Sequence, residues 1–308
     1  MFADITILRP RTIEEVLDLL DEHGDEATVY GGATELVVAM KLGLTDVSTL
    51  IDLKGVPELA DIMVDDDRLR IGAMATHRQI ESDREIEAFL PSLCEIERNL
   101  ANPRVRAIGS IGGNLAFGEP HSDPATFLVA VGATLECWSS GGGRRTIPAV
   151  DFLVGPFENV LRDDELLVEI DVPRPSPRTA LAYRRFHLTE RPAVTVAASV
   201  TSHSGNVDSA TVVVGSACPT PTLVTGPMDL LLGGGIDFTS LLEEAGRAAG
   251  DEIEVEAGGD EVYLRNIVSV LTTRALTSAY ADLEAREIMR PAPSQRPSLS
   301  WGRLRRPW

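Results

Sequence analysis

The sequence runs to 308 residues, 44% hydrophobic and 5% aromatic, with 28 Lys and Arg against 47 Asp and Glu for a formal net charge of -19. That length can fill the cores of two ordinary domains, and the acidic balance argues against a nucleic-acid binder, because a phosphate backbone would be repelled. The start MFADITILRPRT has no basic leader before an apolar stretch, and no window reaches the roughly 18 uninterrupted apolar residues of a membrane span, so a cytoplasmic protein is expected.

Near the N-terminus ITIL predicts a short strand, and Thr12-Ile13-Glu14-Glu15 a capping box opening a helix that Gly24 stops. ATVY predicts a buried strand, YGGAT a tight turn, and ELVVAMKLG a short helix closed by Gly43. STLIDL and RLRIGAMA predict strands, and THRQIES and PSLCEIERNL predict helices starting at Thr76 and Pro91. After the stretch GSIGGNLAFGEPHSDPA, residues 109–125, PATFLVAVGATLECWS predicts helix passing into strand, and RRTIPAVDFL and ELLVEIDVP complete a mixed region. It reads as one domain over 1–172, in two subdomains of about 1–55 and 56–172.

PRPSPR, 173–178, predicts a hinge in which neither helix nor sheet pairing continues. Beyond it ALAYRRF, AVTVAASVTS and SATVVVGSA predict strands, followed by the helical patterns FTSLLEEAGRAA and YLRNIVSVLTTRALTSAYADLEAR. Strands followed by helices predict an α+β domain over 179–290, with helices on one sheet face. The segment 291–308 has the composition of a disordered tail.

Two stretches share a pattern: YGGATEL, 30–36, and GSIGGNL, 109–115, each set adjacent glycines beside small or hydroxyl residues. Adjacent glycines allow positive φ and let successive N–H groups converge on one anion, which suits a pyrophosphate. Thr34 and Ser110 can add hydroxyl donors; Glu35 can accept from a ribose hydroxyl or an amino group; Asp123 suits either a ribityl acceptor or a helix cap. Neither stretch matches GxGxxG or GxxxxGK[ST], so Rossmann and P-loop geometries are unsupported.

Other constellations carry less. Cys94, Cys137 and Cys218 stand far apart and suggest buried free thiols. His23, His77, His187 and His203 show no metal-ligand spacing, and His121, Ser122 and Asp123 are consecutive, which cannot align a catalytic triad. The acidic runs at 65–67 and 163–164 fit solvated turns. WGRLRRPW at the C-terminus fits a frayed tail or a contact with an acidic partner or membrane surface.

YGGATELVVAMKLG, followed by NPRVRAIGSIGGNLAFGEPHSDPA, resembles the paired FAD-binding stretches of the flavin subunit of molybdenum hydroxylases, the carbon monoxide dehydrogenase and xanthine dehydrogenase family. VYLRNIVSVLTTRAL resembles the C-terminal domain of the same subunits, so the resemblance spans the chain. It implies an α+β fold: a two-subdomain FAD-binding domain of the vanillyl-alcohol-oxidase-like (PCMH) type, plus a C-terminal domain whose sheet is covered by helices. Carried over, Gly31, Gly32, Ala33, Thr34, Glu35 and Leu36 would hold the adenosine and pyrophosphate side of FAD. Ser110, Ile111, Gly112, Gly113 and Asn114 would meet the pyrophosphate and ribityl side, and Ala101 and Asp123 match further contacts. Leu166 and Arg184 match more weakly; a core strand residue and a surface cation paired with an acid are their ordinary readings. Glu119-Pro120 stands where relatives often have Asp-Pro, and Phe117 where a small hydroxyl residue can stand. Three scattered thiols also argue against the branch whose flavin subunit carries an inserted iron–sulfur cluster.

The resemblance implies an electron-transfer subunit passing electrons from iron–sulfur clusters to NAD+, a quinone or O2. Its partners would be a large molybdopterin subunit, bearing the molybdenum cofactor, and a small subunit with [2Fe-2S] clusters, in a dimer of heterotrimers. Two alternatives remain: a stand-alone FAD-dependent oxidoreductase, for which no motif nominates a proton donor, and an FAD-free assembly scaffold, against which the intact glycine pairs argue.

Overall fold

The structure, a computed structural model, describes residues 5–203, 206–232, 238–255 and 260–288. The tail expected beyond residue 290 and the end of the C-terminal segment lie outside these residues.

The first unit alternates strand and helix: β1 (Thr6–Leu8), α1 (Ile13–His23), β2 (Ala27–Tyr30), α2 (Leu36–Leu42) and β3 (Thr49–Asp52). Its three strands form a parallel sheet in the order β1-β3-β2, with Thr6 and Ala27 both opposite Thr49. Val16, Leu17 and Leu20 of α1 pack with Ile51 in its core. The Thr12 hydroxyl accepts from Glu15 N–H, a cap worth about 1 kcal/mol. The reciprocal half of the expected capping box differs, because the Glu15 carboxylate accepts from Arg11 N–H at 2.6 Å rather than from Thr12. Helix α2 buries none of its residues and ends on left-handed Gly43 at φ 70°.

The second unit follows: β4 (Ile62–Val64), β5 (Arg68–Gly72), α3 (His77–Ser82), α4 (Arg84–Phe89), α5 (Pro91–Asn99), α6 (Pro103–Ile108), α7 (Ile111–Phe117) and α8 (Asp123–Ala130). It continues with β6 (Thr134–Ser139), β7 (Arg144–Pro148), β8 (Leu153–Gly155), β9 (Glu158–Asn159) and β10 (Glu165–Pro173). Its antiparallel sheet runs β4-β5-β10-β6-β7. Central β10 buries both faces: Leu166 and Val168 pack on the first unit, while Leu167, Ile170 and Val172 pack on the helices of the second. A bulge between Leu167 and Glu169 resets the two-residue alternation so that 167, 170 and 172 share a face. β10 also extends through Pro173, which pairs with Arg68, so the expected break in sheet pairing begins one residue later. Arg174 N–H then donates to Asp67, and its guanidinium stacks 4.0 Å over the Phe89 ring.

The C-terminal unit holds β11 (Thr179–His187), β12 (Pro192–His203), β13 (Asn206–Gly215), β14 (Thr222–Val224), α9 (Gly226–Leu232), α10 (Phe238–Glu252) and α11 (Glu261–Ile288). The four strands form one antiparallel sheet in chain order. Val196, Ala198, Val212 and Val214 face the unit's own helices, whereas Ala197 and Val213 join the core of the second unit. The helices thus cover one face as expected, and the other face is docked on the second unit rather than solvated. The Thr126 and Thr195 hydroxyls meet at 3.1 Å across that junction.

Candidate functional site

The two glycine stretches, about eighty residues apart in sequence, lie against each other. A Cβ on Gly32 would run into the Ile108 carbonyl oxygen, and one on Gly31 would lie 2.8 Å from Met74 Sδ and 3.1 Å from Ser110 Oγ. The glycines therefore serve close chain approach. Contrary to expectation, none of Gly31, Gly32, Gly112 and Gly113 has positive φ; the left-handed residues here are Ala33 at 54° and Ala101 at 40°. Non-glycine residues in that region carry strain of about 1–3 kcal/mol and persist only where their surroundings dictate the conformation. Both alanines belong to the set expected to contact a cofactor.

The second stretch is a short helix rather than the open turn its glycines suggest. Residues 109–112 run along 73–77: Ile111 N–H donates to Ala75 at 3.0 Å, Gly112 N–H to Ala73 at 2.9 Å, and His77 N–H to Gly109 at 3.1 Å. Ser110 caps α7, its hydroxyl accepting from Gly113 N–H at 3.2 Å. The first three N–H groups of α7 thus already have partners in the chain. Gly112 makes room for Ala73, whose Cβ would lie 2.5 Å from an added methyl. Asn114 Oδ1 accepts from the Ser122 hydroxyl at 2.5 Å, and Ile111 is a core residue.

The first stretch has spare donors. Val37 and Ala39 N–H close the first turn of α2 onto Ala33 and Glu35, but the N–H groups of Ala33, Thr34, Glu35 and Leu36 donate to no group among the described residues. Four consecutive donors at a strand-to-helix turn suit an anion. The start of this stretch contacts a group that sequence reasoning passed over. Lys54 Nζ donates to the Tyr30 hydroxyl and the Gly31 carbonyl, and pairs with Asp52 at 3.0 Å. Burial alone would lower the Lys54 ammonium, but the hydrogen bonds to Tyr30 and Asp52 outweigh it and hold it above its ordinary value. The scarcity of lysine, with only Lys41 and Lys54 in the chain, was the available signal.

The remaining expected residues scatter around this contact. Ala101 is exposed just before Asn102, which caps α6. Asp123 is not the helix cap: Ser122 caps α8, and Asp123, 2% exposed in its first turn, faces β11. There it accepts from the Tyr183 hydroxyl at 2.6 Å and pairs with Arg185 at 3.3 Å. Burial pushes its carboxyl up, opposed by Tyr183 and Arg185. Leu166, 3% exposed, lies in the core under the first unit. Arg184 donates to the Tyr183 carbonyl and pairs with no acid among the described residues. Phe117 stacks edge-on with Phe157 of the β8–β9 turn at 5.4 Å. Glu35 and Glu119 share Arg191 of the C-terminal unit, a residue that no motif singled out.

The architecture is thus a parallel β-α-β-α-β unit docked on an antiparallel sheet, with a glycine stretch from each meeting at one seam and a third unit alongside. The comparisons agree. Residues 3–175 match the family model described as the FAD binding domain in molybdopterin dehydrogenase, and 179–279 match the CO dehydrogenase flavoprotein C-terminal domain. The carbon monoxide dehydrogenase medium chain of Hydrogenophaga pseudoflava is 32% identical over 280 residues, covering 88% of this chain and 96% of that protein. The xanthine dehydrogenase FAD-binding subunit of Escherichia coli O157:H7 is 29% identical, over 72% of this chain and 77% of its own. A solved structure of carbon monoxide dehydrogenase from H. pseudoflava superposes with a TM-score of 0.86 at 28% identity, covering 91% of this chain and 99% of that one. The chain belongs to the family of FAD-binding flavoprotein subunits of molybdopterin dehydrogenases.

Proposed function

We propose that the seam between the glycine stretches holds FAD, and that the chain is the electron-relay subunit of a molybdenum hydroxylase. The four N–H groups from Ala33 to Leu36, unpaired among the described residues, carry this reading. They would receive the pyrophosphate, with Gly31 and Gly32 admitting the close approach of the Ile108–Ser110 backbone. Glu35 would accept from the adenosine side. Ser110, Gly113 and Asn114 would border the ribityl side, with Ala101, Asp123 and Arg184 further along. Ile111, Gly112 and Leu166 support from the core, their groups being committed to packing. Bound FAD would supply interconversion between one- and two-electron transfer; the chain contributes binding, orientation and electrostatic setting.

The family supports a large molybdopterin partner bearing the molybdenum cofactor and a small partner with [2Fe-2S] clusters, in a dimer of heterotrimers in the cytoplasm, with NAD+, a quinone or O2 as acceptor. Residues 1–172 would form the FAD-binding domain and 179–290 the C-terminal domain, joined by 173–178. The test is to purify the chain, release any ligand by denaturation, identify it by absorbance and fluorescence, and titrate FAD into the stripped protein. One FAD per chain is expected. No uptake, alone or assembled with both partners, overturns the reading in favour of a scaffold.

A further inference from the structure

Arg191 ends the β11–β12 connection of the C-terminal unit, and its guanidinium forks between two carboxylates from the other units. One nitrogen lies 2.8 Å from Glu119 Oε1 and the other 3.3 Å from Glu35 Oε2. The Glu119 side chain is only 12% exposed. It also accepts from His121 N–H at 3.0 Å, and its Oε1 lies 2.7 Å from His121 Nδ1. Glu35 stands immediately before α2, among the four N–H groups that donate to no described group. A carboxylate at the N-cap position is stabilised by a helix N-terminus, yet the Glu35 side chain caps none of these N–H groups. A guanidinium in two-point contact is the group best suited to hold two carboxylates at once.

We propose that Arg191 is a positioning residue of the cofactor seam. It withholds the Glu35 carboxylate from the N–H groups of Ala33 to Leu36, and it ties the C-terminal unit across the mouth of the seam through Glu119. The inference rests on the FAD reading above. The three segments are far apart in sequence, so the fork forms only when all three units are docked.

The test measures FAD uptake and release by flavin fluorescence in wild type, Arg191→Lys, Arg191→Gln, Glu119→Gln and the Arg191→Gln/Glu119→Gln double variant, with melting of the flavin-stripped proteins in parallel. R191Q should release FAD about fivefold to tenfold faster, while the flavin-stripped protein melts no more than about 4 °C lower, the worth of one half-exposed ion pair; R191K should fall between it and wild type, since an ammonium pairs as a single point charge. Salt should accelerate wild-type release more than that of R191Q, because the fork is screened and the variant lacks it. E119Q should share the loss, and the double variant should be no worse than R191Q, as expected for one shared interaction. Release from R191Q within twofold of wild type, or additive losses in the double variant, overturns the latch while leaving the FAD reading standing. A wild-type chain that takes up no FAD overturns both.

Discussion

Gly112 and Gly113 are neighbours with different jobs, and alanine at each separates packing from binding. At Gly112 the added methyl would lie 2.5 Å from Ala73 Cβ and 2.6 Å from the Ala73 carbonyl oxygen. Carbon atoms rest about 3.5–4.0 Å apart, so the segments must separate by roughly 1 Å. The neighbour is backbone, and its carbonyl also accepts from Gly112 N–H at 2.9 Å. Overpacking costs about 1–3 kcal/mol, and about 2–3 kcal/mol where backbone is the neighbour; helix propensity returns about 1 kcal/mol, so G112A should lose about 1–2 kcal/mol. At about 2–4 °C per kcal/mol, melting of the flavin-stripped protein should fall by about 2–8 °C. At Gly113 the methyl would meet only the Ser110 hydroxyl, at 2.9 Å; if that hydroxyl turns away, the α7 cap it gives Gly113 N–H is lost, about 1 kcal/mol, which the gain in helix propensity offsets. G113A should therefore melt close to the wild-type temperature, while a methyl on the proposed ribityl border lowers FAD affinity at least about tenfold, about 1.4 kcal/mol. Differential scanning fluorimetry of stripped protein and FAD titration by fluorescence quenching read the two effects separately. Wild-type melting in G112A refutes the packing argument; wild-type FAD affinity in G113A refutes the placement of this stretch.

Two further outcomes follow from strain and charge. Ala33→Gly relieves about 1–3 kcal/mol of strain at a left-handed alanine against the usual 0.5–1 kcal/mol that Ala→Gly costs, so stability should stay level or rise by up to about 2 kcal/mol in chemical denaturation; a loss above about 1 kcal/mol shows that Ala33 is unstrained. Glu165, whose side chain is 1% exposed, accepts from Arg145 at 2.6 and 2.7 Å and from Arg162 N–H at 2.9 Å. Burial alone would raise its carboxyl, but the Arg145 and Arg162 hydrogen bonds prevail and lower it below 4.5. The contribution is therefore present above 4.5 and fades as pH falls through the folded value. E165Q should lose about 1–3 kcal/mol near neutral pH, with the gap closing below pH 4.5; a pH-independent gap refutes the ionic account.

Much of this architecture is legible in the sequence because local and tertiary demands coincide. The alternation of strand and helix through residue 52, the cap at Thr76, the proline start at Pro91 and the left-handed stop at Gly43 each follow from one residue type at one position. Elsewhere tertiary packing overrides local preference. Helix α7 contains Gly112 and Gly113, which weaken helices, and forms because Ser110 caps it and Ala73 and Ala75 accept its first N–H groups. The short elements β4, α4, α6, β8, β9, β14 and α9 were not anticipated, being two to seven residues long with little room for periodicity. Arg191 and Lys54 were invisible for another reason: their partners lie 156 and 72 residues away for the first, and on neighbouring strand ends for the second.

The strain and the spare donors at the first stretch are two results of one constraint. Gly32 sits directly against the Ile108 carbonyl, so the chain leaving β2 cannot continue beside β3 and must turn at once. Ala33 makes that turn by adopting φ 54°, which starts α2 without a side-chain cap. An uncapped start leaves the first-turn N–H groups without acceptors among the described residues. A serine or aspartate cap would satisfy one of them at the expense of the proposed anion site. The sequence instead has Glu35 there, and Arg191 holds its carboxylate aside. The strain at Ala33 is thus the structural cost of keeping four donors available, which makes the turn costly for folding alone and well suited to a pyrophosphate.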